Sequence, residues 1–389
     1  MNGLNKTCEQ LIYLISCALR EAKADTDALE GIDLSGLFML ARKHSVAAMV
    51  CMVLEKTALF AQADPVVKKQ WLDVKNKAVR KNMLLDADRK TLMNDMKAAG
   101  IWHMPLKGCV LQDWYPQYGM REMSDNDILF DASKRSEVKE IFLNHGYSES
   151  MYDESNYDGY TKLPVYNFEM HKALFDDAME GDLAGEFANI REKLLCDGEN
   201  EYELHFTPED FYIYAIAHAY KHYSFGGTGI RTLIDIYVMN QKIGDVLDWR
   251  YVETELDTLG IRGYEACSRG LAEKIFGGEK PIGEIALTEE EQQMLFYQLE
   301  SSTYGTIENK VNNRLRALQS DRQPITSFTK LKYCIERLFP GRQWCRSYYP
   351  FIYRHPWLLP VFWVWRMITR FFSKGKIIWR ELASLKSSK

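Results

Sequence analysis

The hydrophobic period of this chain changes twice, and those two changes bound what it can fold into. Up to about residue 99 apolar residues recur at i, i+3, i+4 and i+7, with Lys, Asp and Glu filling the gaps from Lys68 to Lys97, which predicts helix after helix. Ala99-Gly100 ends that pattern, because glycine readily takes the left-handed backbone on which helices close. Ile101-Trp102-His103-Met104 then offers a short strand stopped by Pro105. Beyond it strands and helices alternate: Asp125 to Phe130 and Val165 to His171 read as strands, and Ser133 to Asn144 as a helix ended by Gly146. At Thr207-Pro208 the helical period returns, with threonine as N-cap and proline at the first helical position. It persists through Phe211 to Tyr223, Ile230 to Lys242 and Trp249 to Leu259. The expectation is an α+β protein in which a small mixed sheet (residues 100–206) lies between a helical N-terminal lobe (1–99) and a helical C-terminal lobe (207–389) with an aromatic basic tail.

The residues that can carry chemistry gather in the middle segment. Side chains alternate along a strand, so Asp125, Asp127 and Leu129 face one way while Asn126, Ile128 and Phe130 face the other. Two carboxylates this close repel unless a cation lies between them or a proton neutralises one, which points to a hard divalent ion, Mg²⁺ or Mn²⁺. The second strand repeats the logic: Tyr166, Phe168 and Met170 make an apolar face, and Asn167, Glu169 and His171 a polar one. With Glu169 aimed into the same cleft, three carboxylates can hold two ions about 3.5 to 4 Å apart, one activating an attacking hydroxyl and the other stabilising a leaving pyrophosphate. Taken alone, a D-x-D pair also occurs at solvated turns and strand ends.

Several neighbours fit such a site. The Lys107-Gly108 turn can meet a triphosphate with backbone N–H groups and a helix start, with Lys107 as counter-charge. Arg121 can grip a phosphate in bidentate fashion or pair with a nearby acid. His218 and His222 lie one helical turn apart with Lys221 beside them, and can line a nucleotide pocket, sit buried as structural histidines, or bind zinc, although no H-E-x-x-H glutamate accompanies them. Ser224 to Gly229 is a Gly-rich loop that closes over a ligand or simply turns the chain, and Arg231 with Asp235 has the spacing of an intrahelical salt bridge.

The succession L-K-G (106–108), Y-P (115–116), R-E-M-S-D-N-D-I-L (121–129), E-M-H (169–171), H-A-Y-K-H (218–222) and G-I-R-T-L-I-D-I (229–236) resembles a bacterial family of uncharacterised nucleotidyltransferases within the DNA polymerase beta superfamily. The resemblance spans Lys107 to Asp235 by motif and the whole chain by layout, and its D-x-D strand is the specific part. It implies metal-dependent transfer of a nucleoside monophosphate from an NTP, ATP among the candidates, to a hydroxyl or phosphate acceptor with release of pyrophosphate. It implies Asp125 and Asp127 as metal ligands, a site completed by Glu169 or else His171, and a Gly-containing helix start at Lys107-Gly108. The chain departs from the superfamily in two respects: the usual Gly-Ser or Gly-Gly pair is Lys-Gly, and sixteen residues separate Gly108 from Asp125.

Composition narrows the partners. With 46% hydrophobic and 26% charged residues the 389-residue chain has a globular profile, and a net charge of −5 provides no global field for a long nucleic acid, so a small-molecule acceptor is expected. Eight scattered cysteines without a CxxC pair suit a reducing cytoplasm. Leu14-Ile15-Ser16-Cys17 has the look of a lipoprotein cleavage box, but Leu4, Cys8, Leu11, Ile12, Ile15 and Leu19 recur at helical spacing and predict an amphipathic helix instead. The stretch from Trp357 to Phe372 is interrupted by Pro360, Arg366 and Arg370, and with Lys374 and Lys376 it forms a tail (357–380) that either contacts a membrane surface or a partner or packs on the body with its basic face solvated. Two other readings therefore stand beside catalysis: a nucleotide-binding protein without turnover, and a helical partner- or membrane-surface protein.

Overall fold

Five strands form one mixed sheet in the order β1-β2-β5-β4-β3 in the computed structural model, which describes residues 4–152, 155–176, 181–198, 200–280, 282–303, 305–319 and 325–387. The strands are β1 (His103–Pro105), β2 (Asn126–Phe130), β3 (Ser148–Met151), β4 (Tyr157–Lys162) and β5 (Tyr166–His171). The β2 and β5 strands run parallel and the other neighbours antiparallel. A second sheet pairs β6 (Leu195–Cys196) with β7 (Leu204–His205). Helices supply the remaining architecture, as an α+β fold requires.

The alternation read in the sequence decides which face meets which helices. Ile128, Phe130, Phe168 and Met170 are buried together with Leu85, Leu92 and Met96 of the long Pro65–Ala98 helix and with Val138 and Phe142 of the Arg135–Asn144 helix. Full burial of each such side chain is worth roughly 1.5–3 kcal/mol, so this half of the sheet is firmly anchored. On the other face Met104, Leu106 and Leu129 join a larger core running from Leu11 to Leu299, which includes Ile213, Tyr214, Ile216 and Ala217 of the Pro208–Phe225 helix. Helices from both ends of the chain therefore share one core on the face that carries Asp127.

Local signals placed these elements. Asp64 caps the long helix by accepting from Val66 and Val67 N–H with Pro65 behind it, and Thr207 accepts from Asp210 N–H ahead of Pro208. Gly100 and Gly146 close their helices at φ +68° and +79°. Pro105 does not stop the first strand but ends it from within, opposite Ile128, on the sheet edge where its missing N–H is tolerated. Leu14 to Cys17 lies buried inside the Lys6–Leu19 helix, and Ser16 Oγ donates to the Phe276 carbonyl. Near the C-terminus Pro360 sits in the first turn of a helix spanning Leu359–Ser387, where its missing N–H is tolerated. The side chains of Lys374 and Lys376 lie outside the described residues.

Candidate active site

Parallel pairing of β2 and β5 sets Asp127 directly beside Glu169 and Leu129 beside His171. Partners in register point to the same face, so two acids and an imidazole share one spot on the sheet. His171 Nε2 is 2.9 Å from Asp127 Oδ1 and 3.8 Å from Glu169 Oε2, and ligand atoms of all three lie within 4.8 Å of one another. Lys107 Nζ, from the loop after β1, donates to the same Asp127 oxygen at 2.9 Å. Asp125, expected beside Asp127 as a ligand, precedes β2 by one residue, is half-buried, and lies outside the trio whose ligand atoms converge.

These charges act strongly on one another. Burial alone would raise the Asp127 carboxyl, but Lys107 and His171 outweigh it and hold the group well below the usual carboxylate range. Glu169 is pushed up to about 8 by burial and by Asp127 and Asp125. Asp125 is pushed up to about 6 by burial and by Asp127. Lys107 acts on all three acids and Arg231, Arg121 and Lys81 act on Asp125 as well, yet Asp125 and Glu169 still hold their protons more tightly than free carboxyls do. His171 is shifted down by burial and by Lys107, so its ring stays neutral and can offer a lone pair. Its Nδ1 is buried without a hydrogen-bond partner. Two carboxylates and a neutral imidazole with converging ligand atoms form a donor set that fits a divalent cation.

The support for β2 comes from its opposite face. Asn126 accepts from Arg89 Nη1 at 2.9 Å and from the Cys109 thiol at 3.3 Å, and donates to the Leu85 carbonyl at 3.2 Å. Those bonds tie the strand to the Pro65–Ala98 helix and fix the aim of Asp127 on the far side. Lys81 Nζ holds the Ser124 carbonyl at 2.9 Å, which steadies the segment bearing Asp125.

The Lys107-Gly108 turn is built differently from the expected phosphate cradle. Lys107 has φ +44° and ψ −115°, a backbone region that side chains avoid, and the helix it starts, Gly108–Leu111, is only four residues long. The Lys107 side chain meets Asp127, and the attraction keeps its ammonium charged despite burial. Gly108 makes room for Arg121, because a Cβ there would lie 2.5 Å from Arg121 Nη1 and 3.0 Å from Met123 Cε. Arg121 in turn grips Asp235 in bidentate fashion, Nε to Oδ1 at 2.8 Å and Nη2 to Oδ2 at 3.0 Å, while Tyr115 OH donates to Oδ1 at 2.6 Å. The structure therefore gives Arg121 an acid partner 114 residues away in place of an open phosphate grip. Asp235 is bonded to Arg121 and Tyr115, whereas Arg231 Nη1 donates to the Glu122 carbonyl.

The Pro208–Phe225 helix packs beside this cluster. Tyr214, His218 and His222 follow at four-residue steps along one face, close enough for the charge of Lys107 to act on all three. Burial, reinforced by Lys107 and His222, drives His218 well below the ordinary imidazole value. The two histidines approach each other at 3.2 Å between Nε2 atoms. Lys221 lies 5.9 Å from the Phe175 ring centroid. Tyr214 was missed in the sequence, although the four-residue step back from His218 was a readable signal. Its hydroxyl is buried without a hydrogen-bond partner beside Lys107, Asp127 and Glu169. Such an orphan is a group waiting for something polar.

Against known proteins, a family model described as "Uncharacterised nucleotidyltransferase" matches residues 30–277, which takes in every residue of this cluster. Curated proteins and solved structures give no match.

Proposed function

Because this chain belongs to that uncharacterised nucleotidyltransferase family, matched over residues 30–277, we propose that it moves a nucleoside monophosphate from an NTP to a hydroxyl or phosphate on a small acceptor, releasing pyrophosphate, in the manner of the polymerase beta superfamily. The observation that carries this reading is the in-register meeting of Asp127, Glu169 and His171 beside two orphaned polar atoms, Tyr214 OH and His171 Nδ1.

Asp127 and Glu169, with Asp125 at the rim and His171 behind, are the residues that would hold divalent metal, Mg²⁺ or Mn²⁺. Such ions, when bound, polarise the phosphoryl oxygens and acidify the acceptor hydroxyl. The chain's own groups do the rest. Lys107 presents its ammonium to the triphosphate once Asp127 has another cation to face, and the Tyr214 hydroxyl donates to a phosphate oxygen. Glu169 takes the proton from the acceptor hydroxyl as the new O–P bond forms and the bond to pyrophosphate breaks. His218, Lys221 and His222 line the nucleotide side of the cleft. Arg121, locked to Asp235, positions the Gly108 turn rather than touching substrate. A small acceptor suits a chain with net charge −5, and eight free cysteines suit a reducing cytoplasm.

The test is pyrophosphate release from each of the four NTPs with Mg²⁺ and a metabolite extract, for the wild type and Asp127→Asn. Metal-dependent release that vanishes in the variant supports transfer. One observation favours a second reading: Lys107 already neutralises Asp127 from within. A non-catalytic nucleotide-binding protein would bind an NTP without consuming it in any extract.

A further inference from the structure

The last fifty residues, 340–389, hold ten Lys and Arg and a single acid, Glu381, a net +9 in a chain whose total is −5. The same segment holds five of the nine tryptophans. Charge and indole are thus segregated at one end.

The Leu359–Ser387 helix turns an apolar stripe outward. Phe362, Arg366, Ser384 and Leu385 are buried, and the helix packs along Ile307–Leu318. At 100° per residue Val361, Val364, Trp365, Ile368 and Trp379 fall on the opposite side, and every one of them is at least half exposed. Trp357, just ahead of the helix, is 74% exposed and Trp379 is 72% exposed. Arg346, Arg354 and Lys386 are exposed along the same region, whereas Arg380 turns toward the packed side and pairs with Glu308 at 3.8 Å. Among the described residues no helix is long and apolar enough to cross a membrane. A helix that is apolar along one outward stripe, rich in tryptophan and flanked by cations has the character of one that lies in a bilayer interface.

We propose that this face docks on the surface of an anionic lipid bilayer. The indoles and aliphatic side chains enter the headgroup boundary, and the excess of Arg and Lys meets the negative surface potential. A second copy seated on the same stripe about a two-fold axis would bring like charges together, which disfavours that occupant. Lipid binding of this kind is independent of the nucleotide site.

The experiment is co-sedimentation of the full chain with vesicles of phosphatidylcholine alone and of phosphatidylcholine mixed with phosphatidylglycerol, with tryptophan fluorescence read in parallel. The expected result is sedimentation and a blue shift with the anionic vesicles only, weakening as salt rises. Arg354→Gln should lower the partition coefficient about fivefold, since one cation near such a surface contributes about 1 kcal/mol. Trp357→Ser/Val361→Ser/Trp365→Ser, which alters only exposed or half-exposed side chains, should abolish the shift with Tm unchanged. Equal binding to both vesicle types, no binding to either, or a self-association in light scattering that the triple variant removes would each overturn the proposal. Because Arg354→Gln with a salt titration reads the electrostatic part alone, a poorly folded triple variant would not shield the idea.

Discussion

Lys107 holds a glycine-type backbone without being glycine, and the two effects of replacing it can be separated. Its ammonium and the Asp127 carboxylate are 17% and 11% exposed, so solvent screens their pairing little. Removing the ammonium from a buried pair costs about 3–5 kcal/mol, and proton uptake by Glu169 keeps the loss in the lower part of that range. Lys107→Ala suffers this loss while keeping φ at +44°, a strain on the order of 1–3 kcal/mol. Lys107→Gly suffers the same loss but sheds the strain, against roughly 0.5–1 kcal/mol of extra backbone entropy. Glycine should therefore be more stable than alanine by about 1–2 kcal/mol, contrary to the usual order of these residues. Urea unfolding followed by far-UV circular dichroism in EDTA measures the difference. Mg²⁺ should then raise both variants, by about 2.7 kcal/mol at a hundred times its Kd, because it replaces the lost charge. Alanine as stable as glycine would refute the strain, and no response to Mg²⁺ would refute the exchange of cations.

Three further expectations concern the scaffold. Asp235→Ala leaves Arg121 buried and uncompensated and strips the acceptor from Tyr115, so unfolding should become easier by about 3–5 kcal/mol, whereas a loss under 1 kcal/mol would show that water replaces the carboxylate. Gly108→Ala drives a methyl against Arg121 Nη1, which Asp235 prevents from moving away, and should cost about 1–3 kcal/mol in the same assay. His44 is fully buried, accepts from Ile230 N–H at 3.4 Å, and is pushed down to about 4 by burial and by Lys43. Its neutral form is the one the fold accommodates, so stability is full above pH 6.5, falls as pH drops from about 6.5 to about 4, and levels off below, a loss on the order of 3 kcal/mol. His44→Asn, which does not titrate, should remove that slope, and an unchanged slope would assign it to other groups.

How far the sequence could be read depended on the range of the interaction. The two-residue alternation of Asn126 to Phe130 and of Tyr166 to His171 identified the central strands and their buried faces, because one side of each is covered by apolar helices. The β3 and β4 strands escaped notice. Ser148 to Met151 is an exposed, polar edge, and β4 hides Asp158, whose full burial is compensated by Arg135 at 2.6 and 2.7 Å and by Lys172 at 3.7 Å. Capping residues and closing glycines gave helix ends to within a few residues, since that chemistry is local. The pairing of Arg121 with Asp235 was invisible: 114 residues separate them, and Arg231 at helical spacing offered a nearer partner. At the site, alternation put Glu169 and His171 on one face but could not choose between them, and the parallel register of β2 and β5 brings both to Asp127.

The central claim is that Asp127 and Glu169 share a divalent cation that an NTP helps to hold. The most direct measurement is Mn²⁺ binding followed by electron paramagnetic resonance, with and without NTP, for the wild type and for Asp127→Asn/Glu169→Gln at matched circular dichroism. The account predicts that the wild type removes free Mn²⁺ signal, with nucleotide more than protein alone and nucleotide alone together remove, and that the variant removes no more than the nucleotide itself chelates. Equal Mn²⁺ uptake by the folded variant, or none by the wild type at millimolar ion with nucleotide present, would contradict it.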